Sequence, residues 1–152
     1  MNAFRNAGVR YHGAMQAPAY PHGIHYEGVH CNLFLDRPAQ DVVVLRISGT
    51  DIGEFGEAPM SSLNEWLAGA GRIELFIDAR DVRGASIEVS GEWAAWLNAH
   101  RESLRTVTML TGSRFIQITA EFVRRFASLE GIMRICTEPA VFDGALAATL
   151  RR

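Results

Sequence analysis

Two groups of residues in this chain have the types and spacing that chemistry asks for. The first is His22, His25, His30 and Cys31, an H-x2-H-x4-H-C run. Imidazole and thiolate suit zinc, but strand alternation sends His30 and Cys31 to opposite faces, and the other two histidines match no familiar ligand spacing. No metal is expected. Cys31 reads as a core thiol without a positioned base, so cysteine nucleophilic catalysis is not expected either. The second group lies along "IDARDVRGASIEVSGEW": Asp78, Arg80, Asp81, Arg83, Gly84, Ser86, Glu88, Ser90 and Trp93. Paired carboxylates can act as acid and base, yet adjacent arginines favour their charged forms and an ordinary ion-pair network. A serine at a helix start can accept phosphate beside free N–H groups, or it can simply cap the helix. Glu88 and Glu92 would repel an added phosphate, so capping ranks first, with Ser86 and Ser90 kept as phosphoacceptor candidates. No nucleophile, base and oxyanion donor come together from these residues, and no catalytic residue is assigned.

The elements that must position these groups follow from periodicity. Val29, Cys31, Leu33 and Leu35 alternate, "DRPAQD" turns the chain, and "VVVLRI" returns, which predicts a hairpin. After the loop "SGTDIGEFGE", Met60, Leu63 and Leu67 keep helical spacing up to the stop at Gly69 and Gly71. "RIELFID" is a nearly continuous apolar run, as expected of a central strand covered on both faces. Gly84 is expected to turn the chain sharply into a helix starting near Ser90, with Trp93, Leu97 and Leu104 at helical spacing. "TVTML" and "IMRIC" are further strands, "SRFIQITAEFVRRFA" a third helix, and "EPAVFDGALAATL" a fourth opened by Pro139. Expected core positions are Val43, Leu45, Leu75, Ile77, Val107, Met109, Ile132 and Ile135. The alternation predicts parallel pairs, and the initial hairpin makes the sheet mixed. Residues 1–23, rich in Ala, Gly, Pro and His, read as a flexible arm ahead of one domain over 24–152.

Composition bounds the function. The chain has 152 residues, 48% apolar and 21% charged, which is enough for one core and too little charge for disorder. A net charge of −2 argues against nucleic acid. All 15 basic residues are arginine, and no function is read from that. Two cysteines far apart and no long apolar run point to a reducing, cytoplasmic setting without a transmembrane segment. No G-x-G-x-x-G or G-x-x-x-x-G-K-[ST] follows a strand, so no cofactor is expected.

The order of elements, with "IDARDVRGASI", "MLTGSRF" and "ICTEPAVFDGAL" in sequence, resembles the SpoIIAA-like group of STAS domains over about Tyr26 to Leu150. The resemblance implies an α/β fold with a mixed sheet of about five strands, an N-terminal hairpin and about four helices. It also implies a non-enzymatic regulatory module that binds a protein partner, as anti-sigma-factor antagonists do. Their acceptor motif, roughly Asp-Ser-Ser-Gly, is not reproduced here. The spacing of Asp78, Arg80, Asp81, Gly84 and Ser86 is similar to the other SpoIIAA-like branch, for which partner or apolar-ligand binding is implied. The expected recognition surface is Asp78 to Trp93. The alternative is a carrier or sensor of a small apolar, lipid-like ligand in a pocket between sheet and third helix, lined by Phe115, Phe122 and Phe126. A homo-oligomer stays open.

Overall fold

The computed structural model describes residues 9–11 and 23–152. Seven strands form one sheet in chain order: β1 (Val9–Tyr11), β2 (Ile24–Glu27), β3 (Cys31–Ala39), β4 (Val42–Asp51), β5 (Ile73–Ala85), β6 (Leu104–Thr111) and β7 (Met133–Cys136). The ladders from β1 to β4 are antiparallel, and those from β4 to β7 are parallel. Helices α1 (Ala58–Leu67), α2 (Ile87–Ala99) and α3 (Arg114–Phe126) connect the parallel strands, and α4 (Pro139–Leu150) closes the chain. Among the described residues, the architecture is therefore mixed α/β with four helices. The sheet is wider than about five strands because β2 and β1 add short antiparallel strands, of four and three residues, at one edge. Runs that short carry too little alternation to read from sequence. Most of the arm expected over 1–23 lies outside the described residues, and Val9–Tyr11 within it pairs with β2.

Alternation decides which residues face inward. Ile24 and Tyr26 of β2 and Cys31, Leu33 and Leu35 of β3 are buried on one face of the sheet. Val29 does not join them. It is 89% exposed because it sits in the turn between β2 and β3. That turn is pinned by Glu54, whose carboxylate accepts the N–H groups of Val29 at 2.8 Å and His30 at 2.9 Å. Burial pushes the Glu54 carboxyl up, and these hydrogen bonds more than offset it, holding it below its ordinary value. The segment "DRPAQD" is not all turn either. β3 runs through Pro38 to Ala39 with a register shift after Asp36, an irregularity of the kind that tolerates proline in a strand.

The two faces are covered differently. On the first, α1, α2 and α3 pack their apolar residues, among them Leu63, Leu97 and Val123, against Val43, Leu45, Leu75, Ile77 and Val107. Met109, Ile132 and Ile135 pack at the margin of that core. The indole N–H of Trp96 donates to Asn64 Oδ1 at 2.8 Å and ties α2 to α1. On the second face, Phe142 and Leu146 of α4 pack on Val42, Val44, Phe76, Leu110 and Cys136. Phe142 meets Phe76 edge-on, with ring centroids 5.7 Å apart.

The largest departure from expectation is at the end of β5. The strand does not stop at Asp78, and Gly84 makes no sharp turn. β5 continues to Ala85, with Gly84 opposite Thr50 of β4. Two register shifts, after Arg46 and after Gly49, each place an extra β5 residue against β4. Bulges of this kind bend a strand and re-aim its side chains without ending the pairing, which is why the polar, glycine-containing run resembles a loop in sequence. α2 consequently begins at Ile87, one turn before Ser90, and ends at Ala99, so Leu104 belongs to β6.

Candidate functional site

The bulged end of β5 brings together only some of the residues singled out above. Asp78 is buried, and both its oxygens lie within 3.1 Å of Arg80 Nε. Arg80 reaches on to Asp143 of α4 at 2.8 Å. On the other side, Arg46 of β4 lies 3.8 Å from Asp78 and 3.4 Å from Asp36 of β3. The result is an alternating ladder, Asp36, Arg46, Asp78, Arg80, Asp143, across the second face. The hydrogen bonds that Arg80 donates to Asp78 foremost, with the one it donates to Asp143, strengthen its hold on its proton. Asp36 is the weak rung. It is fully buried, its Oδ1 meets no hydrogen-bond donor among the described residues, and burial pushes its carboxyl up to about 7 against the partial opposition of Arg46. Asp81 and Arg83 are exposed and make no ion pair among the described residues.

The two serines have different places. Ser86 is the N-cap of α2, its hydroxyl accepting the Val89 N–H at 3.1 Å, with Glu88 in the first turn. Ser90 lies inside the helix and borders an apolar cavity, so it caps nothing. Trp93 is half-buried along the same cavity, while Glu88 is exposed. The segment Asp78 to Trp93 is thus divided between three environments: the ladder, the helix cap and the cavity wall.

That cavity lies between the first face of the sheet and the α2–α3 pair, with a volume of about 90 Å³. Its floor includes Leu45, Ile77 and Met109, and its helical walls include Val89, Trp93, Ile116 and Ala120. The phenylalanines expected to line it do not. Phe115, Phe122 and Phe126 are 61%, 49% and 68% exposed, and the buried residues of α3 are Ile116, Ala120 and Val123. With Ile118 they form an outward stripe at i, i+3, i+7 and i+11, so the helix is apolar on two adjoining sides. The wide apolar arc is legible in sequence, but not which part of it faces the sheet. α3 starts where Ser113 caps it, directly after Gly112, at which any Cβ would run into the Arg80 carbonyl oxygen.

Among the described residues, the histidine and cysteine run is spread over separate contacts. Cys31 is a free, buried thiol pushed up to about 12, by burial first and then by the charges of Asp51 and Glu54. His30 approaches Glu54 at 3.5 Å and His25 approaches Glu27 at 3.8 Å, and His22 lies outside the described residues. Among the described residues, no three His, Cys, Asp or Glu side chains are grouped so as to hold a metal ion. Nor is any helix there long and apolar enough to cross a membrane.

No family model matches the chain, and no curated protein matches it. A solved structure does: a protein of the DUF3478 family from Shewanella loihica PV-4, described as uncharacterized and as having a SpoIIAA-like fold, with a TM-score of 0.59. The chain has a SpoIIAA-like fold. The likeness covers 79% of this chain and 97% of that one at 17% identity, so it speaks for the fold alone. On this SpoIIAA-like frame, sequence reasoning missed Asp36, Arg46 and Asp51. For Asp36 and Arg46 a signal existed: each is a charge inside an alternating apolar strand, "LFLDR" and "VVVLRI". Asp51 gave none, because β4 runs on through "SGTD", which reads as loop.

Proposed function

We propose that the chain is a non-enzymatic binding domain that holds a small apolar ligand between the sheet and the α2–α3 pair. The observation that carries this is the cavity of about 90 Å³, walled almost wholly by apolar side chains and bordered by Ala120 and Thr119 of α3. A dry apolar cavity of about 150 Å³ can take up benzene, and this one, at about 90 Å³, is smaller and suits a slender chain better than a ring. Phe115 and Phe122 flank Thr119 on the same helical face and extend the apolar surface outward from the cavity wall. Native mass spectrometry of freshly purified protein is the test: the reading expects a retained small apolar mass that is lost when Ala120→Leu fills the cavity. A mass retained equally by both proteins, or none in either after incubation with hexan-1-ol, contradicts it.

A regulatory protein partner is the second reading, favoured by the exposed stripe of Phe115, Ile118, Phe122 and Phe126. Aromatic anchors carry much of interface energy, and exposed apolar stripes of this kind mark contact sites. The bulged end of β5, with exposed Arg83 and Glu88 close by, would form its polar rim. Phe122→Asp with Phe126→Asp should abolish capture of such a partner and leave small-molecule uptake in place.

A further inference from the structure

We propose that the cavity selects an apolar ligand carrying a hydrogen-bond-donating head, a hydroxyl or an ammonium, and excludes one ending in a carboxylate. The inference rests on the ligand-binding reading above and names the ligand class. It comes from the few polar groups that border the apolar space. Among the described residues, four lining residues carry polar side-chain groups: Asp51, Ser90, Thr119 and, through its indole N–H, Trp93. The Thr119 hydroxyl already donates to the Phe115 carbonyl at 3.1 Å. Asp51 is only 7% exposed, and its Oδ1 accepts the Gly53 N–H at 3.1 Å, while no hydrogen bond reaches Oδ2 among the described residues. Among the described residues, no arginine or histidine lines the cavity. A second chamber, of about 20 Å³, shares Asp51, Val89 and Trp93 with the first and adds Glu92 and the Gly53 backbone. In this proposal a water-sized head sits there, beside buried Asp51 and exposed Glu92, and the apolar body sits in the larger space.

The chemistry of that corner decides the head. A carboxylate oxygen has only acceptor capacity, so its natural partner is a donor. A hydroxyl or ammonium supplies one, and the ammonium bond is charge-assisted and stronger. A ligand carboxylate would bring a like charge beside Asp51 in a poorly solvated space with no cation lining it, which disfavours its entry strongly. Fatty acids are therefore the wrong class for this cavity, and short-chain amines and alcohols the right one.

Three probes of equal length test this: hexylammonium, hexan-1-ol and hexanoate, titrated into the full chain and followed by calorimetry and by fluorescence of the cavity-wall Trp93. The expected order is hexylammonium, then hexan-1-ol, with hexanoate weaker than either by at least about tenfold, or about 1.4 kcal/mol. Asp51→Asn keeps an acceptor for Gly53 and should bring the three probes to within about threefold of one another. Ala120→Leu should weaken all three together. Equal binding of the probes to the parent chain, or an order unchanged in Asp51→Asn, overturns the head-group assignment and leaves the cavity reading standing. Binding that Ala120→Leu does not alter, or no binding of any probe to the parent, overturns the ligand-binding reading itself.

Discussion

The two faces of the sheet bury different materials. The first, under α1, α2 and α3, is apolar from Tyr26 across to Met133 and keeps a cavity. The second is apolar only where Phe142 and Leu146 of α4 pack, and toward β3 it gives way to Asp36, Arg46, Asp78 and Arg80. Apolar packing can leave a small void at the loss of some dispersion contacts. A charged row has no such tolerance, because each buried charge needs a partner. The ladder meets that need at Asp78, with two arginines beside it, and meets it incompletely at Asp36. An apolar-walled cavity therefore lies on the first face, whereas the cleft of about 230 Å³ beside Arg46 and Asp78 on the second is bordered by charge, and the raised carboxyl of Asp36 lies on that second face.

The sharpest way to break the comparison is to remove the apolar half of the second face. Phe142 is fully buried against Phe76, and Phe142→Ala should lower stability by about 3–5 kcal/mol in a urea melt, through lost burial and a cavity. A loss below about 1 kcal/mol would mean that α4 contributes little and that the ladder alone closes that face.

Asp36 gives the next effect. Its folded value is raised from 3.8 to about 7, so between those two values the native protein holds a proton that the unfolded chain releases. Its contribution is thus full below about pH 4, is lost as pH rises through about 7, and stays lost above that. The loss is up to about 4 kcal/mol, since each tenfold difference in proton affinity between the folded and unfolded chain corresponds to about 1.4 kcal/mol. Asp36→Asn should flatten this part of the stability profile and make the protein more stable than its parent at pH 8. An unchanged slope would show that another group carries the dependence.

Smaller effects separate the two serines and the glycine of the bulged segment. Ser86→Ala should cost about 1 kcal/mol as a lost cap, and Ser90→Ala much less, by thermal melts at matched pH. Gly84→Ala should leave stability unchanged or raise it by less than about 1 kcal/mol. Its backbone lies in a strand, and a Cβ there would make an ordinary contact with Thr50 Cγ2 at 3.6 Å. A loss above about 1 kcal/mol at Gly84 would restore the tight turn that the sequence implies.

Much of this is legible in the sequence, and the reasons for the rest are physical. Long periodic runs such as "VVVLRI", "RIELFID" and the α3 sequence declare themselves because burial imposes a period on them. The end of β5 does not, since a bulged strand abandons strict alternation and here carries Asp, Arg and Gly. Ser86 is recognisable as a candidate cap, but the helix begins one turn earlier than the sequence pattern suggests. The outward direction of Phe115, Phe122 and Phe126 is hidden for another reason: a helix with an apolar arc wider than one stripe does not say which edge meets the sheet. Asp51 is invisible because its role depends on a wall made by α2, a distant part of the chain.

The central claim, that one face accepts a small apolar molecule and the other does not, is tested most directly by a methyl NMR titration with hexan-1-ol. Saturable shifts are expected at Leu45, Ile77, Val89, Leu97, Ile116 and Val123, which surround the cavity. Val42, Val44, Leu110 and Leu146, packed under α4, should stay in place. Shifts spread equally over both faces, or shifts confined to exposed Ile118 and Ile87, would contradict the account.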